Sequence, residues 1–286
     1  MIAPFIDLAP GHKVGLAVEN PVLLSPTAAG FGDRLPRRES GTPGAIVVGP
    51  VSATGHGYGY APGVVEIAGG MIVLPAGFSR SVRRAVERYA AIWQRSGCPV
   101  VVQLLDETPV DFARTAARLA DTQVVAGVEW AVPVNMAVSS LVEGLRAAQR
   151  VTELPLWVKL PWARASEFAE RAVVAGAAGL VVARPPPGAM LDGGSGQPGD
   201  VVAGTVHGPL VWTILLEQVA AIARQKLPCA LVASGGIFTP SQMTQALAAG
   251  AHAVQLDAVV WSEPAIVTTM VAAWRAGWNR AVPTTG

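Results

Sequence analysis

Eight short, apolar, β-branched runs recur along the chain, and most are followed by a segment with the spacing of an amphipathic helix. This alternation constrains the fold more than any other feature. The runs are "VLLSPT" (22–27), "AIVVGPVS" (45–52), "VVVQLL" (100–105), "VAGVEWAV" (125–132), "LWVKLP" (156–161), "GLVVARP" (179–185), "ALVASGGI" (230–237) and "AVQLDAV" (253–259). They are almost continuously apolar, as strands of a parallel sheet covered on both faces must be. Helical patterns lie between them at 79–95, 108–121, 138–152, 165–175, 211–223 and 241–249. Thr108-Pro109 and Thr239-Pro240 each pair a capping residue with a proline, whose missing N–H costs nothing in a first helical turn. With no Gly/Ser linker between units, the pattern predicts a single (β/α)8 TIM barrel over residues 1–286, with an open doubly wound sheet as the alternative.

Only 14% of the residues are charged and 51% are apolar, which suits a compact structure with much buried strand. A net charge of +1, with no basic run longer than Arg37-Arg38 or Arg83-Arg84, gives no electrostatic case for nucleic acid. The opening "MIAPFIDLAPGHK" lacks a basic segment ahead of an apolar one, and no window reaches the ~18 uninterrupted apolar residues of a membrane span. A cytoplasmic location is expected. Cys98 and Cys229 each precede a strand and have the spacing of neither a disulfide framework nor a metal site.

Two stretches break the alternation: 53–77, rich in Gly and aromatic residues, and the Pro/Gly-rich 185–209. They follow strands 2 and 6, so in a barrel these long loops fall on the C-terminal face, where such folds place their sites, and are expected to act as lids. Polar residues near strand ends then become the candidates: Ser25, Thr27, Ser52, Gln103, Glu129, Lys159, Arg184, Ser234 and Asp257.

Lys159 is the most informative. Of 21 basic residues only Lys13, Lys159 and Lys226 are lysines, and Lys159 is embedded in an apolar run, where an ammonium must be paired or must face a polar cavity. Two readings stay open: an ion pair with Glu129, or a cation aimed at a bound ring or carboxyl group. Ser234-Gly235-Gly236 offers free backbone N–H groups just before a helix, an arrangement that favours anions, although a Gly-Gly turn can also be only a turn. Arg184 is expected to pair with Asp257, His56 and His207 to be solvated loop residues, and Trp130 and Trp157 to pack.

The order of these features resembles the dihydroorotate dehydrogenase family of flavin mononucleotide (FMN) barrels over nearly the whole chain. "VENPVLLSPTAAGFG" (18–32) is similar to that family's Asn-Pro strand opening and the Ala-Gly turn beneath the flavin. The closing "SGGIFTPSQMTQALAAGAHAVQLDAVVWSEP" is the most specific match, being close to the family's Gly-Gly-Ile loop, helix, Ala-Gly-Ala and Val-Gln strand. The resemblance implies a flavoprotein oxidoreductase in which Ala29, Gly30, Lys159, Gly208, Ser234, Gly235 and Gly236 face FMN and Lys159 and Glu129 serve catalysis, with Arg184, Asp257 and Asn135 as substrate or ion-pair candidates.

The chain departs from the family where function is concentrated. "VVGPVSATG" lacks the lysine that follows the second strand, and "VEWAVPVNM" keeps Glu129, Pro133 and Asn135 but has neither Cys nor Ser to take a proton from a substrate ring. Val73 and Arg184-Pro185 stand where pyrimidine-binding Asn and Asn-Thr are expected. The last strand ends in Asp257-Ala258 in place of the Gly-Thr that helps hold the FMN phosphate. Three functions follow as expectations: a flavin oxidoreductase with a small-molecule substrate other than dihydroorotate, a barrel without FMN that acts as a binding or structural partner, or a non-redox enzyme using Lys159 as a Schiff-base or acid/base residue. The apolar composition leaves a homodimer or a partner subunit open.

Overall fold

The computed structural model describes residues 5–34, 41–56, 63–74, 79–191 and 201–281, and all eight anticipated runs are strands of one closed parallel sheet. They are β1 (Val22–Leu24), β2 (Ala45–Ser52), β3 (Val100–Leu104), β4 (Gly127–Ala131), β5 (Leu156–Lys159), β6 (Gly179–Val182), β7 (Ala230–Ser234) and β8 (Ala253–Leu256). Each pairs with its neighbours in chain order, and β8 returns to β1 through Val254↔Val22, Gln255↔Leu23 and Leu256↔Leu24. That last pairing closes the barrel and removes the doubly wound alternative.

Helices pack around the sheet at Val82–Gln94, Pro109–Ala120, Val138–Gln149, Ala165–Val174, Trp212–Ala223 and Pro240–Ala248. Their starts follow the anticipated chemistry. Thr108 Oγ1 accepts from the Asp111 N–H at 3.1 Å. Thr239 Oγ1 accepts from Gln242 N–H at 3.2 Å while the Gln242 side chain accepts from Thr239 N–H at 3.0 Å, a reciprocal capping box.

Alternate residues of each strand face opposite sides. The outward set packs on the helices; Trp130 stacks on Phe112 with ring centres 3.9 Å apart, worth about 0.5–1.5 kcal/mol beyond burial, and its indole N–H reaches the Asp106 carbonyl. The inward set fills the barrel with Leu23, Val47, Val101, Trp157 and Val232. Trp157 fits because β6 begins with Gly179, where a Cβ would lie 2.7 Å from its ring. An N-terminal hairpin, Ile6–Asp7 with Ala17–Val18, covers that end, and the Trp157 indole N–H donates to the Leu8 carbonyl at 2.9 Å. Both tryptophans are therefore packing residues, as expected.

The excursions after β2 and β6 stand where the sequence placed them and carry strands of their own. Val64–Ile67 pairs with Gly70–Val73, Pro187–Leu191 with Val201–His207, and Val201–His207 with Gly70–Val73. The two insertions thus form one four-stranded antiparallel sheet at the C-terminal end of the barrel. Parts of both anticipated lids, 57–62, 75–78 and 192–200, lie outside the described residues.

Candidate functional site

Inside the barrel, the inward positions beyond the apolar filling are polar. Gln103 on β3, Glu129 on β4, Lys159 on β5, Ser234 on β7 and Gln255 on β8 form one network. Lys159 Nζ donates to Gln255 Oε1 at 2.5 Å and stands 4.0 Å from Glu129 Oε1. The Gln255 amide donates to Glu129 Oε2 at 2.9 Å, the Gln103 amide donates to Glu129 Oε1 at 2.6 Å, and Ser234 Oγ donates to Gln255 Oε1 at 2.9 Å. Glu129 and Gln255 are fully buried and Lys159 is 6% exposed. Burying an ion pair costs several kcal/mol of lost hydration per charge, which attraction offsets only with further hydrogen bonds; here both Glu129 oxygens accept an amide N–H and Lys159 donates to Gln255. Of the two readings of Lys159, the pair with Glu129 is what the geometry contains. Gln255 was absent from the candidate residues, although its signal is the same as that of Lys159: a polar side chain in an apolar run, on the inward face.

Beside this network, at the ends of β7 and β8, a cleft lies between the barrel and the added sheet. Its lining includes Ser234, Gly235, Gly236, His207, Gly208 and Asp257. Ser234 belongs to both the cleft and the network.

Asp257 does not pair with Arg184, contrary to expectation. Its Oδ1 accepts from Ser25 Oγ at 2.9 Å, and its Oδ2 lies 2.7 Å from His207 Nδ1. His207 is correspondingly not a solvated loop residue: it is 6% exposed, and its Nε2 is 3.0 Å from Thr205 Oγ1. The sequence could not show this, because His207 and Asp257 are brought together only when the strand Val201–His207 folds back over the barrel rim. Burial alone would raise the Asp257 pKa; the charge and hydrogen bond of His207, the charge of Lys159 and the Ser25 hydroxyl outweigh it and hold the carboxyl at about 2. Arg184 instead donates to the carbonyls of Ala131 and Val132 at 3.2 and 2.8 Å, at the end of β4. Its pKa is lowered by burial, against the pull of Glu129.

The other candidates scatter. Ala29 is buried and Gly30 ends the short helix Pro26–Ala29 at φ +60°, neither of them lining the cleft. Asn135 lies on an exposed turn after β4. Gly208 does line the cleft, at φ +125°, and a Cβ there would lie 2.5 Å from Gly70 Cα, so the glycine lets the two insertions touch. His56 is exposed, as expected, with Nδ1 3.5 Å from Ser52 Oγ.

No family model matches the chain. Among curated relatives, it is 25% identical over 271 residues to the dihydroorotate dehydrogenase B (NAD(+)) catalytic subunit of Pelobacter propionicus, covering 88% of each chain. It is 26% identical over 281 residues to the protein of the same description from Desulforudis audaxviator, covering 90% of this chain and 88% of that one. Among solved structures, ligand-free dihydroorotate dehydrogenase from Eimeria tenella superposes with a TM-score of 0.76 at 18% identity, over 98% of this chain and 91% of its own. The chain is a divergent dihydroorotate dehydrogenase-like barrel.

FMN is the group that the sequence resemblance implies, so its fit to these residues can be tested. In favour, the N–H groups of Gly235 and Gly236 have no hydrogen-bond acceptor among the described residues, and the space above Gly235 is open. Against it, the cleft that those groups line already holds an ionised carboxylate, Asp257, whose two oxygens are both engaged. A phosphate dianion at short range from that charge is disfavoured by about 3 kcal/mol or more even at an effective dielectric of ~20. Lys159, the one residue matching a flavin-facing lysine, is bound to Gln255 in the buried network. The residues present do not fit FMN.

Proposed function

We propose that this dihydroorotate dehydrogenase-like barrel works without flavin and without redox turnover, as a binding or structural partner of another subunit. The observation that carries this reading is the internal pairing of the charged strand-end groups. Lys159 is held by Gln255 and Glu129, Arg184 by the carbonyls of Ala131 and Val132, and Asp257 by Ser25 and His207. Groups that stabilise a transition state are preorganised toward the reacting atoms, whereas the contacts described here aim each charge at a partner within the chain.

Dihydroorotate oxidation lacks its base as well. The segment after β4 offers an exposed turn at Val134-Asn135 with neither Cys nor Ser, and without a positioned base a factor of roughly 10²–10⁴ is forfeited. The partner role draws on the relatives, two of which are described as the catalytic subunit of a dihydroorotate dehydrogenase B, that is, as one chain of a larger enzyme.

One observation favours a second reading, a flavin-linked oxidoreductase with another small-molecule substrate: the N–H groups of Gly235 and Gly236, which have no acceptor among the described residues. An absorption spectrum separates the two. Protein purified without added cofactor, and then incubated with FMN and desalted, is expected to show no flavin bands. Stoichiometric flavin that a small molecule can reduce would overturn the flavin-free reading.

A further inference from the structure

The cleft at the ends of β7 and β8 retains donors suited to an anion and already contains one, supplied by the chain. Asp257 Oδ1 takes the Ser25 hydroxyl and Oδ2 takes the His207 ring N–H. Thr205 Oγ1 has a second acceptor, the Val73 carbonyl at 3.4 Å. Both ring nitrogens of His207 have a partner, Nδ1 at Asp257 and Nε2 at Thr205 Oγ1. Both are thus already engaged, and an incoming anion meets the Asp257 carboxylate instead. Both residues are held from separate elements. Asp257 follows β8, and His207 ends a strand that pairs with Gly70–Val73. The pair therefore also ties the added sheet to the barrel rim.

We propose that the His207–Asp257 pair determines ligand choice at this cleft by holding a carboxylate in the same cleft that the Gly235 and Gly236 N–H groups line, so that phosphorylated ligands, FMN among them, are repelled. This builds on the flavin-free reading and gives it a mechanism. The charge of Asp257 has to be removed before a phosphate can use the Gly235 and Gly236 N–H groups. Loss of His207 has the opposite consequence, because it leaves the carboxylate uncompensated beside those groups.

The opposite signs make the test. Wild type, Asp257→Asn, Asp257→Ser and His207→Gln are each titrated with inorganic phosphate, FMN and riboflavin, with circular dichroism used to confirm folding. Asp257→Asn, which keeps the shape, is expected to bind phosphate and FMN on the order of 100-fold more tightly than wild type. Asp257→Ser supplies the same comparison if the amide variant does not fold. His207→Gln is expected to gain neither ligand. If the folded Asp257 variants gain no phosphate affinity while wild type stays colourless, the charge-exclusion mechanism fails and the flavin-free reading stands. Equal gains in the Asp257 and His207 variants would also overturn the mechanism, because loosened packing would then explain them. Wild type that binds riboflavin but not FMN would sink the flavin-free reading and support the mechanism. Wild type that binds FMN would remove both.

Discussion

Lys159 and Gln255 meet at 2.5 Å inside the barrel, and the same glutamine amide donates to Glu129 at 2.9 Å. The amide oxygen faces the cation and the amide N–H faces the anion, so Gln255 bridges the ion pair whose own closest approach is 4.0 Å. The amide has only one orientation that satisfies both neighbours. Ser234 donates to the same oxygen and also lines the cleft, so the buried network extends to the cleft wall.

Removing one charge from this network is expected to be costly, and removing both much less so. In Lys159→Met the fully buried Glu129 loses its cation, which predicts a loss of about 3–5 kcal/mol. Adding Glu129→Gln should restore most of it, since an amide can be satisfied where an unpaired carboxylate cannot. Denaturant midpoints of the two variants and wild type check this. An unchanged midpoint in Lys159→Met would mean that the pair contributes nothing.

The barrel was legible because its signal is local. Each run from "VLLSPT" to "AVQLDAV" becomes a strand, shortened mainly at its C-terminal end where the polar residues leave the ladder. The added sheet was hidden because its strands are short, rich in Gly and Pro, and paired across a long sequence gap, as Thr205 is with Val73. The site was legible only in part. Lys159 with Glu129 could be read from one polar residue in an apolar run. His207 with Asp257 could not, because a histidine in a Pro/Gly-rich segment gives no hint of which barrel strand it will meet.

Both thiols should be inert in the native protein. Burial raises the pKa of Cys229 to about 11, and that of Cys98 to about 11 against weaker opposing hydrogen bonds from Ser96 and Ile46. Near neutral pH the nucleophilic thiolate is then a minute fraction of either residue. An aromatic disulfide reagent at mildly alkaline pH should label neither cysteine within minutes and both at once after denaturation. Rapid labelling of the native protein would contradict the raised thiol pKa values.

The two glycines of the cradle should respond differently to substitution. Gly236 has φ +68°, and a Cβ there would lie 2.7 Å from the backbone nitrogen of Trp212, so an alanine must displace the start of the helix Trp212–Ala223. Gly235, at φ +113°, has nothing within 4 Å of that position, so an alanine meets backbone strain alone. Gly236→Ala should lower stability by more than about 1 kcal/mol and by more than Gly235→Ala. Thermal or chemical unfolding of both variants gives the comparison, and the reverse order would refute it.

Acid should reveal the energy stored at Asp257. Burial would raise its pKa, but His207, Lys159 and the Ser25 hydroxyl more than offset this and lower it from the ordinary 3.8 to about 2 in the folded chain. A carboxyl whose folded pKa is depressed contributes stability above its unfolded pKa and loses it as pH falls through the folded value. The window therefore runs from about pH 4 down to about pH 2, and the shift corresponds to about 2 kcal/mol. Asp257→Asn should be less stable than wild type at about pH 6, and this difference should narrow steadily through the window. Urea unfolding of both proteins at several pH values measures it. A gap that stays constant down to pH 2 would show that the carboxylate gains no net stabilisation from His207 and its neighbours, because a neutral amide at that position would then have the same proton linkage as the acid it replaced.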